Sequence, residues 1–266
     1  MNKRAVIAAA VAVPVVAAAE LVVLGAKGGI GPLKFLKDRK MAKLPGNNAM
    51  YHPQYINTEG CAESPLRGKR VLFLGSSVTE GTASLGVSMA DYLGLQDGCE
   101  VVKEAAPGTT LADLDGMSYL ARLKKLDPAQ HFDAIVVQLS TNDARRGVPA
   151  GELAFSRDPR VFDTKTTLGA LEAVAAYCQA IWGCPLLVYT GTKFENEGYQ
   201  ALVDALPAFA EKWGACVIDL WNDPDMNAVS ASDYNYYMAD PIHPTQAGYL
   251  LWWTPKFREA LKHVLA

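Results

Sequence analysis

Short apolar runs alternate along the chain with longer stretches in which apolar residues recur every three or four positions. Residues 71–74, 100–104, 133–139, 185–189 and 216–219 read as strands. Those at 71–74, 133–139 and 185–189 are apolar almost throughout, the pattern of strands buried on both faces of a parallel sheet. Between the strands, Leu85, Met89, Tyr92 and Leu93 fall at helical spacing, as does the stretch 111–126. So do Leu168, Leu171, Val174, Cys178 and Ile181, and then Tyr199, Leu202, Val203, Leu206, Phe209 and Trp213. Pro207 predicts a kink in the last of these. A final helix is expected from near Thr245, restarting at Thr254-Pro255, a cap residue followed by proline. The alternation predicts an α/β domain with a five-stranded parallel sheet covered by helices on both faces.

The first 63 residues break this pattern. A basic head, Met1-Asn2-Lys3-Arg4, precedes an Ala/Val-rich apolar run over residues 5–26, interrupted by Pro14, Glu20 and Gly25. Small residues at Ala17 and Ala19 would suit a secretory cut. The run continues through Leu21-Val22-Val23-Leu24, which favours an uncleaved membrane anchor of about the ~20 residues a bilayer needs. Residues 28–63 carry Gly, Pro, Asn and clustered charge without periodicity. The expected organisation is an anchor or signal segment at 1–27, a linker and packing arm at 28–63, and one globular domain at 64–266. Tyr51, Pro53 and Tyr55 are the arm residues expected to lie against the domain. Basic residues flank the apolar run on both sides: Lys3 and Arg4 before it argue for a cytoplasmic N-terminus, whereas Lys27, Lys34, Lys37, Arg39, Lys40 and Lys43 after it would, by the positive-inside rule, keep that flank inside. The basic head favours a membrane-anchored or secreted protein with its globular domain outside the cytoplasm.

Composition narrows the classes. Of 266 residues half are apolar and a fifth charged, with a net charge of −3, which gives no support to nucleic-acid binding. The five cysteines form no C-x-x-C pair and fit no metal pattern.

Candidate chemistry gathers where strands end. Gly75-Ser76-Ser77, Gly108, Asn142 and Gly191-Thr192 all follow predicted strands, so they share one edge of the sheet, where open α/β folds bind ligands. Asp240-Pro241-Ile242-His243-Pro244 follows the fifth strand on a proline-stiffened loop. A serine hydroxyl needs a base, histidine is the usual one, and a nearby carboxylate orients it. The other histidines, His52, His131 and His263, follow no strand end.

The order Gly-Ser-Ser-Val-Thr-Glu-Gly (75–81), Gly108, Asn142-Asp143, then Asp240-Pro-Ile-His243 resembles the SGNH hydrolases, also called GDSL esterases/lipases. The resemblance spans roughly residues 72–248. It implies a flavodoxin-like three-layer α/β/α sandwich and cofactor-free ester hydrolysis with no metal. It also implies Ser77 as nucleophile, His243 as base and Asp240 as its partner. The implied oxyanion donors are the Ser77 and Gly108 N–H groups and the Asn142 side chain. Two departures stand out: Ser76 where the family usually has Asp, and Ser140 where it usually has Gly. Thr79, two residues after Ser77, excludes the Gly of an α/β-hydrolase nucleophile elbow.

Substrate is less determined. Thr192, Trp221 and Tyr236 are candidate substrate-binding residues, because aromatics between the fifth strand and His243 suit stacking on sugar rings. An O-acylated glycan or a small-molecule ester is then the expected substrate. The alternatives are a lipolytic esterase or thioesterase, favoured by the anchor, and a non-catalytic surface binding protein on the same fold.

Overall fold

The structure, a computed structural model, describes residues 34–265. The predicted anchor lies outside the described residues. Among those described, no helix is long and apolar enough to cross a membrane.

The domain is a five-stranded parallel sheet of order β2-β1-β3-β4-β5. Its strands are β1 (Arg70–Gly75), β2 (Glu100–Ala105), β3 (Ala134–Gln138), β4 (Leu186–Tyr189) and β5 (Cys216–Ile218). The order reverses between β1 and β3, which makes that point the crevice for ligands. Side chains alternate faces along each strand. Leu72, Leu74, Ile135, Val137 and Val188 therefore join one core, and Val71, Phe73, Ala134, Val136 and Leu187 the other. The first core is covered by α4 (Tyr119–Leu123), α6 (Thr167–Ile181) and α7 (Glu197–Trp213). The second is covered by α3 (Met89–Asp97) and the C-terminal α10 (Thr254–Leu265). Shorter helices stand at the strand ends and in the loops: α2 (Ser77–Glu80), α5 (Thr141–Arg145), α8 (Pro224–Asn227) and α9 (Ala231–Tyr237). Before β1 lie α1 (Lys34–Met41) and a series of single 3₁₀ turns.

The structure differs from the hydrophobic pattern in three places. Leu85 is not helical. It has φ 63° and is followed by Gly86 at φ 84°, and α3 starts only at Met89, behind a capping box of Ser88 and Asp91. The predicted helix over 111–126 shrinks to α4. The Leu111 and Ala112 N–H groups donate instead to the buried Asp143 carboxylate, at 2.9 Å each. A side chain from another element has taken donors a helix would need. At the C-terminus the α-helix does resume at Thr254, but with no break before it. It continues from a π-helical stretch, Gly248–Trp253, in which the Thr254 N–H reaches back to the Tyr249 carbonyl. Helix α7 carries Pro207 in its interior.

Candidate active site

Strands β1, β3 and β4 are paired so that Leu74 lies beside Val137 and Gln138 beside Tyr189. Their carboxyl ends are level, and the residues that follow them meet. At Gly75 a Cβ would fall on the Thr79 hydroxyl, so only glycine admits the sharp turn from β1 into α2. Ser76 points inward. Its N–H (2.9 Å) and hydroxyl (3.2 Å) both donate to the Gln138 side-chain carbonyl, which also accepts from Thr79 (2.9 Å). Ser77 is the first residue of α2. Its N–H has no carbonyl one turn back to bind, and its hydroxyl points the other way, towards the histidine loop.

Ser77 Oγ lies 2.8 Å from His243 Nε2. On the far side of the ring, Nδ1 lies 2.9 Å from each Asp240 oxygen. A carboxylate can only accept, so Nδ1 carries the ring proton and Nε2 presents its lone pair to the serine hydroxyl. The loop is closed by its own backbone. Asp240 Oδ1 accepts from the Ile242 (2.8 Å) and His243 (2.9 Å) N–H groups, and the Ala239 N–H donates to the His243 carbonyl. Burial alone would raise the Asp240 carboxyl. The hydrogen bond and charge of His243, with the two loop N–H groups, outweigh it and hold the carboxyl at about 2. The Asp240 side chain is about half exposed (51%), and that of His243 is 18% exposed.

Opposite this chain stands the loop after β2. Gly108 is exposed and has φ 80°, a conformation glycine tolerates. Its carbonyl accepts from Arg146 Nη2 at 2.6 Å, and among the described residues its N–H meets no acceptor. Asn142 Nδ2 donates to the Thr109 carbonyl at 2.9 Å, which fixes the amide against this loop and leaves its second N–H for another acceptor.

Residues without a recognisable motif of their own hold these parts. Arg122, only 4% exposed, donates to the Gly75 carbonyl (2.7 Å), to Thr109 Oγ1 (3.2 Å) and to Glu104 (2.9 Å). Asp143 clamps the start of the following loop and also accepts from Thr167 at 3.2 Å. Gln138 interrupts an otherwise apolar strand, and a polar residue in such a run is the signal that marks it. Arg122 carried no comparable signal, since a cation in a predicted helix reads as solvated.

The three candidate substrate residues are dispersed. Thr192 is buried and lines a cavity of about 350 Å³ with Met226, Tyr234, Asn235 and Trp252. Trp221 is 1% exposed, packed against Phe194 and Tyr199, with its indole N–H on Gln200 at 2.7 Å. Its large apolar surface packs in the core, and it also borders a cavity of about 530 Å³ with Phe194 and Gln200. Tyr236 faces the N-terminal arm, where its hydroxyl donates to that of Tyr51 at 3.2 Å. Tyr51 also accepts from Tyr92 through its carbonyl, at 2.7 Å. Pro53 is half-buried and Tyr55 stands 63% exposed. Among the described residues no group of His, Cys, Asp and Glu side chains is arranged to hold a metal ion.

Several solved structures share this architecture. A protein from Lactobacillus plantarum is 22% identical, with a TM-score of 0.61 over 74% of this chain and 98% of its own. A G-D-S-L family protein from Desulfitobacterium hafniense is 17% identical (TM-score 0.54, 73% and 100% covered). An acetyl xylan esterase is 20% identical (TM-score 0.52, 72% and 99% covered). Among curated proteins none matches the chain. The GDSL-like lipase/acylhydrolase family matches residues 73–251, from within β1 to beyond the histidine loop. A match over that span, on a sheet of this order, leaves one conclusion: the chain is a serine hydrolase and belongs to the GDSL-like lipase/acylhydrolase family.

Proposed function

We propose that the protein hydrolyses carboxylic esters in two steps through an acyl-enzyme on Ser77. The observation that carries this reading is the continuous chain Ser77 Oγ, His243, Asp240, with 2.8 and 2.9 Å links. His243 takes the serine proton as the hydroxyl attacks the ester carbonyl. The Ser77 and Gly108 N–H groups and the Asn142 amide receive the oxyanion. His243 then protonates the leaving alcohol and, in the second step, takes a proton from the water that releases the acid.

For the substrate we favour a short acyl group, such as acetyl, on a glycan. The fold shared with an acetyl xylan esterase supports it; the cavity with Tyr234, Asn235 and Trp252 in its wall, whose lining includes none of the catalytic residues, is our candidate for a sugar subsite beyond them. We also assign residues 5–26 as a membrane anchor that holds the domain outside the cytoplasm, on the strength of their apolar sequence.

A fluorophosphonate probe mimics the tetrahedral intermediate and tests the nucleophile. It should label the wild type and Ser76→Ala but not Ser77→Ala. Labelling that survives Ser77→Ala and vanishes in Ser76→Ala would reassign the nucleophile, and a folded, unlabelled wild type would point to a binding protein. In the same preparation p-nitrophenyl acetate should be turned over faster than a long-chain ester. The reverse order would favour a lipolytic enzyme.

A further inference from the structure

The two halves of the candidate centre come from opposite ends of the chain. Ser77 belongs to the segment after β1, and His243 to the loop before the last helix. A third segment, which precedes the family-matched region 73–251, sits in the seam between them. The 3₁₀ turn Pro45–Asn47 buries Gly46 and Asn47 there. Gly46 lies so close to the loop that a Cβ would collide with the Tyr236 carbonyl and the Thr245 hydroxyl. Asn47 is 6% exposed, and both amide hydrogens and the carbonyl oxygen of its side chain are engaged. Its Nδ2 donates to the Ala83 carbonyl at 2.8 Å and to the Met41 carbonyl at 2.9 Å, and its Oδ1 accepts from the Gln246 N–H at 2.8 Å.

One rigid amide thus spans two elements. Ala83 is six residues after Ser77, and Gln246 three after His243. Direct ties exist as well. Gln246 Nε2 reaches the Ser84 carbonyl at 3.2 Å, and the Tyr249 hydroxyl reaches the Val78 carbonyl at 2.6 Å. Asn47 differs from both in that it enters from outside and bonds to both backbones at once.

We propose that Asn47 is a positioning residue that sets the separation of Ser77 from His243, so that the N-terminal arm is a working part of the active centre. This rests on the reading of Ser77 and His243 as nucleophile and base. A hydroxyl and its base transfer a proton efficiently only at hydrogen-bond distance, and small displacements of reacting groups lower the rate steeply. Asn47 touches no substrate. Its loss should therefore appear in kcat and in the rate of probe labelling, and not in KM.

The test uses the full chain. In Asn47→Ala, kcat for p-nitrophenyl acetate and the fluorophosphonate labelling rate should both fall at least about ten-fold, with KM within about two-fold of wild type. Asn47→Ser keeps one hydroxyl that can serve one of the two backbones, and should recover part of the loss. Tyr55→Ala, in the same arm but exposed, should behave as wild type. A folded Asn47→Ala with unchanged kcat, or with its loss confined to KM, would overturn the proposal. If Asn47→Ala does not fold, Asn47→Ser decides: a kcat per folded molecule equal to wild type overturns the proposal, and a reduced one at constant KM supports it. A wild type that neither labels nor turns over ester would overturn the underlying reading instead.

Discussion

A serine hydroxyl is almost fully protonated near neutral pH, so Ser77 depends on what its proton can move to. Nε2 of His243 is the acceptor at 2.8 Å, and Asp240 keeps that lone pair available by holding the other ring proton. The two partners contribute unequally. His243→Ala should lower kcat by roughly 10⁶-fold, and Asp240→Asn by roughly 10⁴-fold, because the carboxylate orients and stabilises the base without taking the proton. Steady-state kinetics at neutral pH check the ranking, and near-normal activity of His243→Ala would reassign the base. The same carboxylate has a signature in stability. Its pKa is held at about 2 in the fold against an ordinary 3.8, so between those values the unfolded chain binds more protons. Its stabilising contribution is present in full above pH 3.8 and is lost as pH falls towards 2. Acid unfolding monitored by circular dichroism should accordingly be shallower for Asp240→Asn than for wild type across that window.

At the scale of elements, the centre depends on strand ends being held level, and one buried cation does much of this. Arg122 on α4 reaches the last carbonyl of β1, Glu104 near the end of β2 and the Thr109 hydroxyl in the loop beside Gly108. Arg122→Met keeps much of the apolar stem but removes the shorter of two hydrogen bonds to the buried Gly75 carbonyl, which keeps that from the Ala106 N–H at 3.3 Å, and leaves the partly buried Glu104 carboxylate without its guanidinium. Losing hydrogen bonds from a charged donor costs roughly 1.5–3 kcal/mol. Denaturant unfolding should show a loss of that size, together with slower turnover as the Gly108 loop loosens. A change below about 1 kcal/mol would mean that Arg122 is not the tie the geometry indicates.

Across the whole molecule, the sheet gathers four segments that are far apart in sequence, and the arm at 45–55 lies over the seam between two of them. In sequence the proposed anchor precedes that arm, with α1 (Lys34–Met41) between them. If residues 5–26 hold the domain outside the membrane, protease added to intact cells should release the domain from them. Full protection with the membrane intact would place it inside. Release should also need a cut before the arm's contacts at Gly46 and Asn47 for the freed domain to keep its activity.

The strands, their parallel arrangement and the clustering of Ser77, Gly108, Asn142 and His243 at one edge were legible in the chain itself. Each rests on local information: an apolar run with a glycine at its end, or a motif at short spacing such as Asp240-Pro-Ile-His243. The short α4 and the non-helical Leu85 were not legible there, because donors taken by Asp143 and a backbone turned at Leu85-Gly86 override the apolar spacing. Trp221 shows the same limit. Sequence marks it as an aromatic near the site, and only packing decides that its face is packed against Phe194 and Tyr199. Arg122 and Asn47 have no pattern of their own. A polar side chain declares its role only through the atoms that surround it, and those atoms come from segments the chain brings together when it folds.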